Sequence, residues 1–274
     1  MLNMTGVTGG TFAYSSGRLS HGHIYVCNLA TPTASTGLKI YHWASPTATP
    51  TLLMEILSTD LSGFVAGRFG DYMSVDLDAT GNGYMFFGVN PTQTDYKVLR
   101  VTVTGFTTLS DPTLINLTTY GGYWASYNQV DDSPNEYIYT GHSGPIMLVN
   151  AGGQAQYTIP AGTIPVNEGS DAHIITFNSE RYMAMIATPG AGSVNVYDLT
   201  PGTSTFNALT QFEAGTRQPL LKYSLGGAIN PATAAGSIAW AKDGDDTLYI
   251  MGAAPRAGFV LIEIPKKVKE IPTP

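Results

Sequence analysis

The chain has 274 residues and a formal net charge of -7, with 43% hydrophobic, 11% aromatic and only 12% charged residues. This composition supports a well-buried core but lacks the charged residues that long amphipathic helices carry on their exposed faces. The 13 Lys and Arg residues are scattered, which argues against a nucleic-acid-binding protein because phosphate contacts need a basic stripe. No apolar run is long enough for a transmembrane helix.

A pair of apolar, Tyr-rich runs separated by a polar break recurs five times along the chain. The pairs are His23–Asn28 with Leu38–Trp43, Tyr84–Val89 with Val98–Val103, Tyr137–Gly141 with Pro145–Val149, Tyr182–Ala187 with Val194–Leu199, and Leu248–Gly252 with Gly258–Ile264. A repeated hairpin cannot bury its own apolar face, so neighbouring copies must cover it. The repeat predicts an all-β protein, a β-propeller of about five four-stranded blades, with six blades or an incomplete ring as the alternative.

Each repeat is flanked by further strand patterns that complete a blade. The predicted blades are Thr11–Leu57, Tyr72–Leu117, Tyr123–Pro160, Ala172–Phe212 and Gly236–Ile264. The fifth blade lacks an obvious outer strand. Leu2–Val7 could pair beside Gly258–Ile264 and close the ring, and an open edge is the alternative. Residues 1–264 are predicted to form one propeller domain, and residues 265–274, with three prolines, a tail or linker.

Several phrases in these strands carry a family resemblance. They are Gly67–Asp76 with Asp78 and Gly81–Tyr84, Ile24–Val26, Leu38–Trp43 and Val98–Val101. Together they resemble an uncharacterised β-propeller family of secreted or lipid-anchored proteins from gut Bacteroidetes, known as a domain of unknown function. The resemblance implies an extracytoplasmic protein whose export signal is absent from this chain, since Met1–Gly10 lacks a signal-peptide pattern. It carries over no catalytic residues.

Candidate binding residues fall on the predicted inner strands and on the loops that lead into them. Asp76 lies in an alternating strand on the face away from the apolar residues, which predicts a side chain in the channel wall. The leading loops Gly63–Asp71, Thr118–Trp124 and Ile164–Asp171 should meet at one mouth of the channel. With Asp76 and the inner-strand His173, the predicted binding residues are Arg68, Asp71, Tyr120, Tyr123, Trp124, Glu168 and Asp171.

Two of these predictions have a structural alternative. The Arg68 guanidinium can either clamp a ligand carboxylate or lock its own loop to Asp71. The aromatic cluster at Tyr120, Tyr123 and Trp124 can either stack on a ligand or fill the wedge between two blades.

Metal sites are weaker alternatives. Asp78, Thr80 and Asn82 reproduce the opening spacing of a calcium loop, but Val89 stands where its closing acid would be, so an ordinary hairpin turn is favoured. A zinc or iron site would require His21 and His23 to meet Asp171 and His173. We therefore predict neither a cofactor nor a bound metal.

The sequence contains no nucleophile or phosphate-binding motif that would identify an enzyme. We expect a non-enzymatic binding or scaffold module that acts outside the cytoplasm on a glycan, peptide or protein ligand. The alternative is a propeller hydrolase, of the glycosidase or lactonase kind, that uses channel-lining carboxylates. A hydrolase should bring two acidic or His groups from different blades into one pocket with perturbed titration, whereas a binding module should not.

Overall fold

The computed structural model describes most of the chain. The described residues are 3–7, 14–64, 66–91, 97–117, 126–140, 146–160, 169–187, 190–199, 204–213, 219–229, 236–254 and 258–266. Within them, nineteen strands form five antiparallel sheets.

The five sheets are the blades of a five-bladed β-propeller, as the repeat predicts, and we name them A to E in chain order. Blade A contains β1 (Tyr14–Ser20), β2 (His23–Asn28), β3 (Leu38–Trp43) and β4 (Thr51–Ile56). Blade B contains β5 (Gly67–Leu77), β6 (Gly83–Pro91), β7 (Lys97–Thr104) and β8 (Thr108–Asn116). Blade C contains β9 (Ser126–Val130), β10 (Ser133–Thr140), β11 (Met147–Val149) and β12 (Ala155–Thr158). Blade D contains β13 (Gly169–Phe177), β14 (Glu180–Ala187), β15 (Gly190–Leu199) and β16 (Leu221–Ile229). Blade E contains β17 (Ser237–Asp243), β18 (Thr247–Ala254) and β19 (Gly258–Pro265).

The core lies between successive blades. Separate hydrophobic clusters join A to B, B to C, C to D and D to E. Ile138, Met185, Val196 and Ile250, which the strand pattern predicts to be buried between sheets, are fully buried. At these four junctions the apolar face of one blade is covered by the next blade, which is why a repeated hairpin requires a neighbour.

Three other residues that we expected to be buried in this way are more accessible. Val26 and Val75 are only partly buried, and Leu261 is 52% exposed. Leu261 lies on the last blade, on the face opposite the cluster with blade D, and Val26 lies on the first blade, on the face opposite the cluster with blade B.

Two predicted blade boundaries are wrong. Strand β5 begins at Gly67 rather than Tyr72, so Gly67–Asp71 belongs to a strand that continues through a bulge and not to a loop. Blade D does not end at Phe212, because its outer strand is β16, which pairs with β15.

A short helix, α1 (Thr205–Glu213), separates β15 from β16 and was not expected from the composition. Ser204 begins it, since its hydroxyl accepts a hydrogen bond from the Asn207 backbone N–H at 3.2 Å. Ala208 and Leu209 are fully buried in the cluster between blades C and D. No helix in the described part of the chain is long and apolar enough to cross a membrane.

The expected closing strand is not found in the described part of Leu2–Val7, although Leu2 itself lies outside the described residues. Residues 3–7 form a turn rather than a strand. Asn3 lies against blade A, where its N–H donates to the Pro46 carbonyl and its carbonyl accepts from the Trp43 indole N–H. The described part of blade E therefore has three strands.

Candidate ligand-binding channel

The first strand of each blade lines a central channel. Strands β1, β5, β9, β13 and β17 contact one another in this order. A cavity of about 1380 Å³ opens between them, and all five strands contribute to its wall. Side chains separated by more than 200 positions in the sequence thereby face one space, as Arg18 and Trp240 do.

Behind the cavity wall, the fully buried carboxylate of Asp171 joins four of these strands. Its Oδ1 accepts hydrogen bonds from the Tyr72 hydroxyl at 2.9 Å and from Asn128 Nδ2 at 2.7 Å. Its Oδ2 accepts from the Ile238 backbone N–H at 2.8 Å and lies 3.4 Å from the Ser237 hydroxyl. Asp171 therefore links β13 to blades B, C and E.

Asp171 is held in its ionised form. Burial by itself would raise its pKa, but the nearby His173 and Arg18 side chains and the Ile238 N–H outweigh burial, and the pKa lies below its usual range. His173 Nε2 lies 3.6 Å from Asp171 Oδ1. Its oxygens are already hydrogen-bonded within the protein, so Asp171 has a structural role, and that it also contacts a ligand stays a prediction.

Three polar atoms in the cavity wall have no hydrogen-bond partner among the described residues. They are Arg18 Nη2 on β1, Asp76 Oδ2 on β5 and His173 Nε2 on β13. Each of these atoms is buried, and the Arg18 guanidinium lies 4.6 Å above the centre of the Tyr72 ring, which holds it in place. Buried polar atoms are costly without a partner, and these three belong to side chains that line one cavity, so this part of the wall is the candidate contact for a polar ligand.

Asp76 differs from Asp171 in its titration. Burial raises the pKa of Asp76 to about 7, and His173, the Gln129 backbone and Ser74 oppose the rise only in part. The Asp76 carboxyl can therefore be neutral or charged near physiological pH. It can donate a hydrogen bond to a ligand in one state and only accept in the other.

The structure places the predicted site residues in two groups. Asp76 and His173 line the cavity, with Asp171 directly behind it. Arg68 binds Asp71 through two parallel hydrogen bonds of 2.9 and 2.7 Å, so its guanidinium locks β5 in the way the second interpretation proposed. That Arg68 or Asp71 contacts a ligand stays a prediction.

The other predicted binding residues cannot be placed. Tyr120, Tyr123, Trp124 and Glu168 lie outside the described residues, as do most of the loops 118–124 and 164–171. A binding surface at that mouth of the channel stays a prediction.

Within the described part of the chain, the structure does not bring together a set of metal ligands at the calcium loop or at the histidine site considered above. Asp78 Oδ1 accepts from the backbone N–H groups of Thr80 and Asn82 at 2.8 and 2.9 Å, and from the Thr80 hydroxyl, so it builds the β5–β6 turn. His21 contacts the Leu77 carbonyl, and His23 pairs with His42 at 2.7 Å. Among the described residues, no group of three or more His, Cys, Asp or Glu side chains could hold a metal ion.

Three residues of the site, Arg18, Tyr72 and Asn128, were not predicted from the sequence. Tyr72 shares the channel-facing side of β5 with Asp76, because residues two or four apart on a strand lie on one face. Arg18 and Asn128 are likewise polar residues inside the first strand of a blade, a pattern that indicates a side chain facing the channel. Only the register of separate blades shows that they meet.

Comparison with known proteins gives a family match and distant structural likenesses. A family model described as "Domain of unknown function (DUF4623)" matches residues 1–267. The crystal structure of a DUF4623 family protein from Bacteroides eggerthii DSM 20697 superposes with a TM-score of 0.87 at 30% identity. The alignment covers 98% of this chain and 62% of that chain, so this chain spans less than two thirds of the length of the relative.

Two further solved structures are glycoside hydrolases. One is CoXyl43, a GH43 beta-xylosidase/alpha-arabinofuranosidase from a compost microbial metagenome, with a TM-score of 0.49, 9% identity, and 93% of this chain and 90% of that chain covered. The other is an endo-arabinase from Bacteroides thetaiotaomicron VPI-5482, with a TM-score of 0.49, 12% identity and 91% of each chain covered. At this level of similarity neither bears on what the present chain does. None of the curated proteins matches it.

Proposed function

Since the chain belongs to the DUF4623 family, whose function is unknown, we propose from the channel geometry that it is a binding module for a small, hydroxyl-rich ligand such as a glycan. The observation that supports the proposal is that Arg18 Nη2, Asp76 Oδ2 and His173 Nε2 have no hydrogen bond among the described residues and belong to side chains that line one cavity. A hydroxyl group can donate to one of these atoms and accept from another, so a ring bearing several hydroxyls satisfies this mixed set.

The rest of the cavity wall suits such a ligand. It carries aromatic side chains from three blades, Tyr84, Tyr137 and Trp240, beside the amide of Asn128. Aromatic surface with a few placed polar groups is the usual composition of a site for small molecules. A long peptide would need an extended groove or a row of main-chain partners, which these features do not provide.

The proposal predicts that Asp76 and His173 contribute to affinity. The protein is screened on arrays of neutral glycans and of peptides, and each hit is measured by calorimetry. Asp76→Asn and His173→Gln should each weaken a glycan hit by roughly 10- to 100-fold, the usual effect of losing a hydrogen bond to a chargeable group.

Asp245→Asn is the matched control, because Asp245 is exposed and lies outside the cavity. It should bind as the parent does. A glycan hit that both channel variants bind at parental affinity, or hits confined to peptides, would reject the channel as a glycan site.

One observation favours the hydrolase alternative. Asp76 and His173 come from different blades, line one cavity and interact electrostatically, and the pKa of Asp76 is about 7, which is suitable for a general acid at neutral pH. New reducing ends released from a glycan hit by the parent but not by Asp76→Asn would establish hydrolysis. Binding without release supports the binding module.

We also propose an extracytoplasmic location. The support is the resemblance of the strand phrases to a secreted or lipid-anchored family, together with the Bacteroides origin of a DUF4623 relative. Fractionation of the source cells with immunodetection tests it, and recovery of the protein only in the cytoplasmic fraction would reject it.

A further inference from the structure

The cavity is not confined to the central channel. From blades A and D, among the residues that the structure describes, its wall includes only residues of the first strand or of the turn directly after it. On blade B the wall continues from β5 to β6 and β7. A groove therefore runs outward from the channel between blades B and C. We call it the side groove, and it is lined by Tyr84, Thr102 and Thr104 on blade B and by Asp132, Ser133 and Pro134 on blade C.

One wall of the side groove is a row of polar side chains. Cross-strand pairing places Asp76 beside Tyr84, and Tyr84 beside Thr102, so the three side chains lie on one face of blade B. This face is turned towards blade C, because Tyr84 packs against the cluster between B and C, whereas the alternate residues Met85 and Val101 lie in the cluster with blade A. The row begins at Asp76 in the channel wall, so the side groove is continuous with the channel.

The opposite wall is the β9–β10 hairpin of blade C. Regular pairing of these two strands is interrupted between Ser133 and Tyr137, and Pro134 within the interruption is exposed. Asp132 on this wall and Thr104 on blade B are exposed as well, whereas Thr102 is half-buried. The side groove therefore leads from the buried channel wall to the solvent.

The size of the cavity favours an occupant longer than one sugar ring. Its volume of about 1380 Å³ exceeds the roughly 300–1,000 Å³ of pockets that enclose a drug-sized ligand. A single ring in contact with Arg18, Asp76 and His173 would leave the side groove empty. The hydroxyls of Thr102 and Thr104 can both donate to and accept from the hydroxyls of further rings.

The side groove suits a neutral glycan chain better than a peptide or an acidic glycan. Strands β6 and β7 are each paired on both sides, so their backbone offers no free edge to which an extended peptide could add. Asp78 on blade B and Asp132 on blade C add carboxylates to the cavity wall, and these would repel carboxylates on a ligand.

We propose that the side groove binds the second and third sugars of a neutral glycan chain whose first sugar lies in the channel. The inference rests on the proposed function, because it assigns the whole chain to the same cavity. It adds that the preferred ligand is an oligosaccharide of at least three units rather than a single sugar. Tyr84, Thr102 and Thr104 are then the residues that select for chain length.

Varying the length of the glycan tests the proposal. Binding is measured by calorimetry with the mono-, di-, tri- and tetrasaccharides of cellulose, xylan, mannan and arabinan. In a series that binds, the trisaccharide should bind roughly 10- to 100-fold more tightly than the monosaccharide, because the added rings gain hydrogen bonds in the side groove. The trisaccharide of galacturonic acid, which carries a carboxylate on each ring, should bind more weakly than the neutral trisaccharide.

Two substitutions at Thr102 separate the side groove from the channel. Thr102→Phe fills the groove and should reduce the affinity for the trisaccharide to that for the monosaccharide. Thr102→Val removes the hydroxyl but keeps the shape of the side chain, so it tests the groove without the larger change in packing and should lower the trisaccharide affinity by roughly 3- to 10-fold. Thr51→Phe is the matched control, since Thr51 is exposed on β4 outside the cavity, and it should bind each length as the parent does.

The results distinguish this inference from the proposed function. Equal affinities for the monosaccharide and the trisaccharide, or a trisaccharide affinity that both Thr102 variants leave unchanged, would overturn the side groove and leave the channel as a glycan site. Tighter binding of the galacturonic acid trisaccharide would overturn the assignment to a neutral chain. Failure of every member of the panel to bind would reject both the side groove and the channel as glycan sites.

Discussion

Asp76 and Asp171 are two carboxyl groups on neighbouring sides of one channel wall, with opposite pKa shifts. Asp171 has hydrogen-bond donors on both oxygens and keeps its charge in the interior, and its pKa is lowered. Asp76 is buried and accepts too few hydrogen bonds to offset the burial, so its pKa is raised to about 7. Two carboxyls whose environments separate their titrations can serve different roles, one structural and one in contact with a ligand.

The raised pKa of Asp76 predicts a specific pH dependence of stability. A carboxyl that binds its proton more tightly in the folded state than in the unfolded state favours folding fully below pH 4, and this advantage is lost as pH rises through about 7. Asp76→Asn should remove this loss. The variant should match the parent near pH 4 and exceed its free energy of unfolding by about 2–4 kcal/mol at pH 8.

Denaturant titrations of both proteins from pH 4 to pH 8 measure the difference. The charged and titratable groups around Asp76, namely Arg18, Tyr137 and His173, are common to both proteins. The contribution of Asp171, which has the opposite sign and is lost at low pH, is common to both as well. A difference that stays constant across this range would show that the carboxyl titrates normally.

At the level of single residues, sequence alone predicts a side chain's direction better than its partners. The alternation of β5 predicts that Asp76 faces the channel, and it does. The hydrogen bond from Tyr72 to Asp171 joins residues 99 positions apart, and it depends on the register of two blades. No local pattern encodes that register, so the partners of Asp171 could not be predicted.

At the level of elements, the bulge in β5 shows how one glycine positions a strand. Gly70 has φ of 93° and interrupts the regular pairing between Phe69 and Met73. A Cβ at this position would lie 2.1 Å from the Asn28 carbonyl oxygen, so the end of β2 approaches the bulge closely. Ala30 and Phe69 exchange both backbone hydrogen bonds at the same place.

Gly70→Ala should therefore disturb the junction between blades A and B. We expect it to lower the free energy of unfolding by about 2–4 kcal/mol, because backbone strain adds to a contact that cannot relax. Chemical denaturation measures the loss.

Gly63→Ala is the matched control for this substitution. Gly63 also has a positive φ, of 72°, but a Cβ added there would have no atom within 4 Å. It should lose only about 1 kcal/mol, from backbone strain alone. Equal losses in the two variants would show that the contact with Asn28 has no energetic effect.

Strands and helix differ in how far the sequence predicts them. The paired apolar runs predict the ends of the central strands β6 and β7 to within a few residues. They do so because the alternation of apolar residues and the turn residues indicate the same boundaries. The start of β5 was predicted too late because Gly67 and Gly70 are typical of loops rather than strands. Helix α1 was missed because its apolar residues are few and its formation depends on burial of Ala208 and Leu209.

At the level of the whole molecule, the blades are not equally protected. Among the described residues, hydrophobic clusters pack on both faces of blades B, C and D but on one face of blade E, of which three strands are described. Regions with fewer buried contacts open at a lower free energy than the global unfolding.

Amide hydrogen exchange should therefore be faster in blade E than in blade D. The matched comparison is β18 with β14, since each is the second strand of its blade and pairs on both sides. We expect a lower free energy of exchange for β18. Equal protection of the two strands would show that the ring unfolds as one unit.

The ring of blades could be predicted because the pair of apolar runs recurs five times in the sequence. The accessibility of Leu261 and Val26 could not be predicted, because both residues have the same apolar pattern as residues at packed junctions. Whether an apolar face is covered depends on the curvature of the whole ring.

The hydrogen bonds of Asp171 have a consequence for how sequences of this family can diverge. Tyr72, Asn128 and Asp171 lie on three blades and hydrogen-bond to one another at one carboxylate oxygen, so the loss of any one removes hydrogen bonds from the other two in the interior. A lineage cannot replace these residues one at a time without passing through a destabilised protein. Substitutions at the three positions should therefore be inherited together, and an alignment of family members should show them covarying as one set.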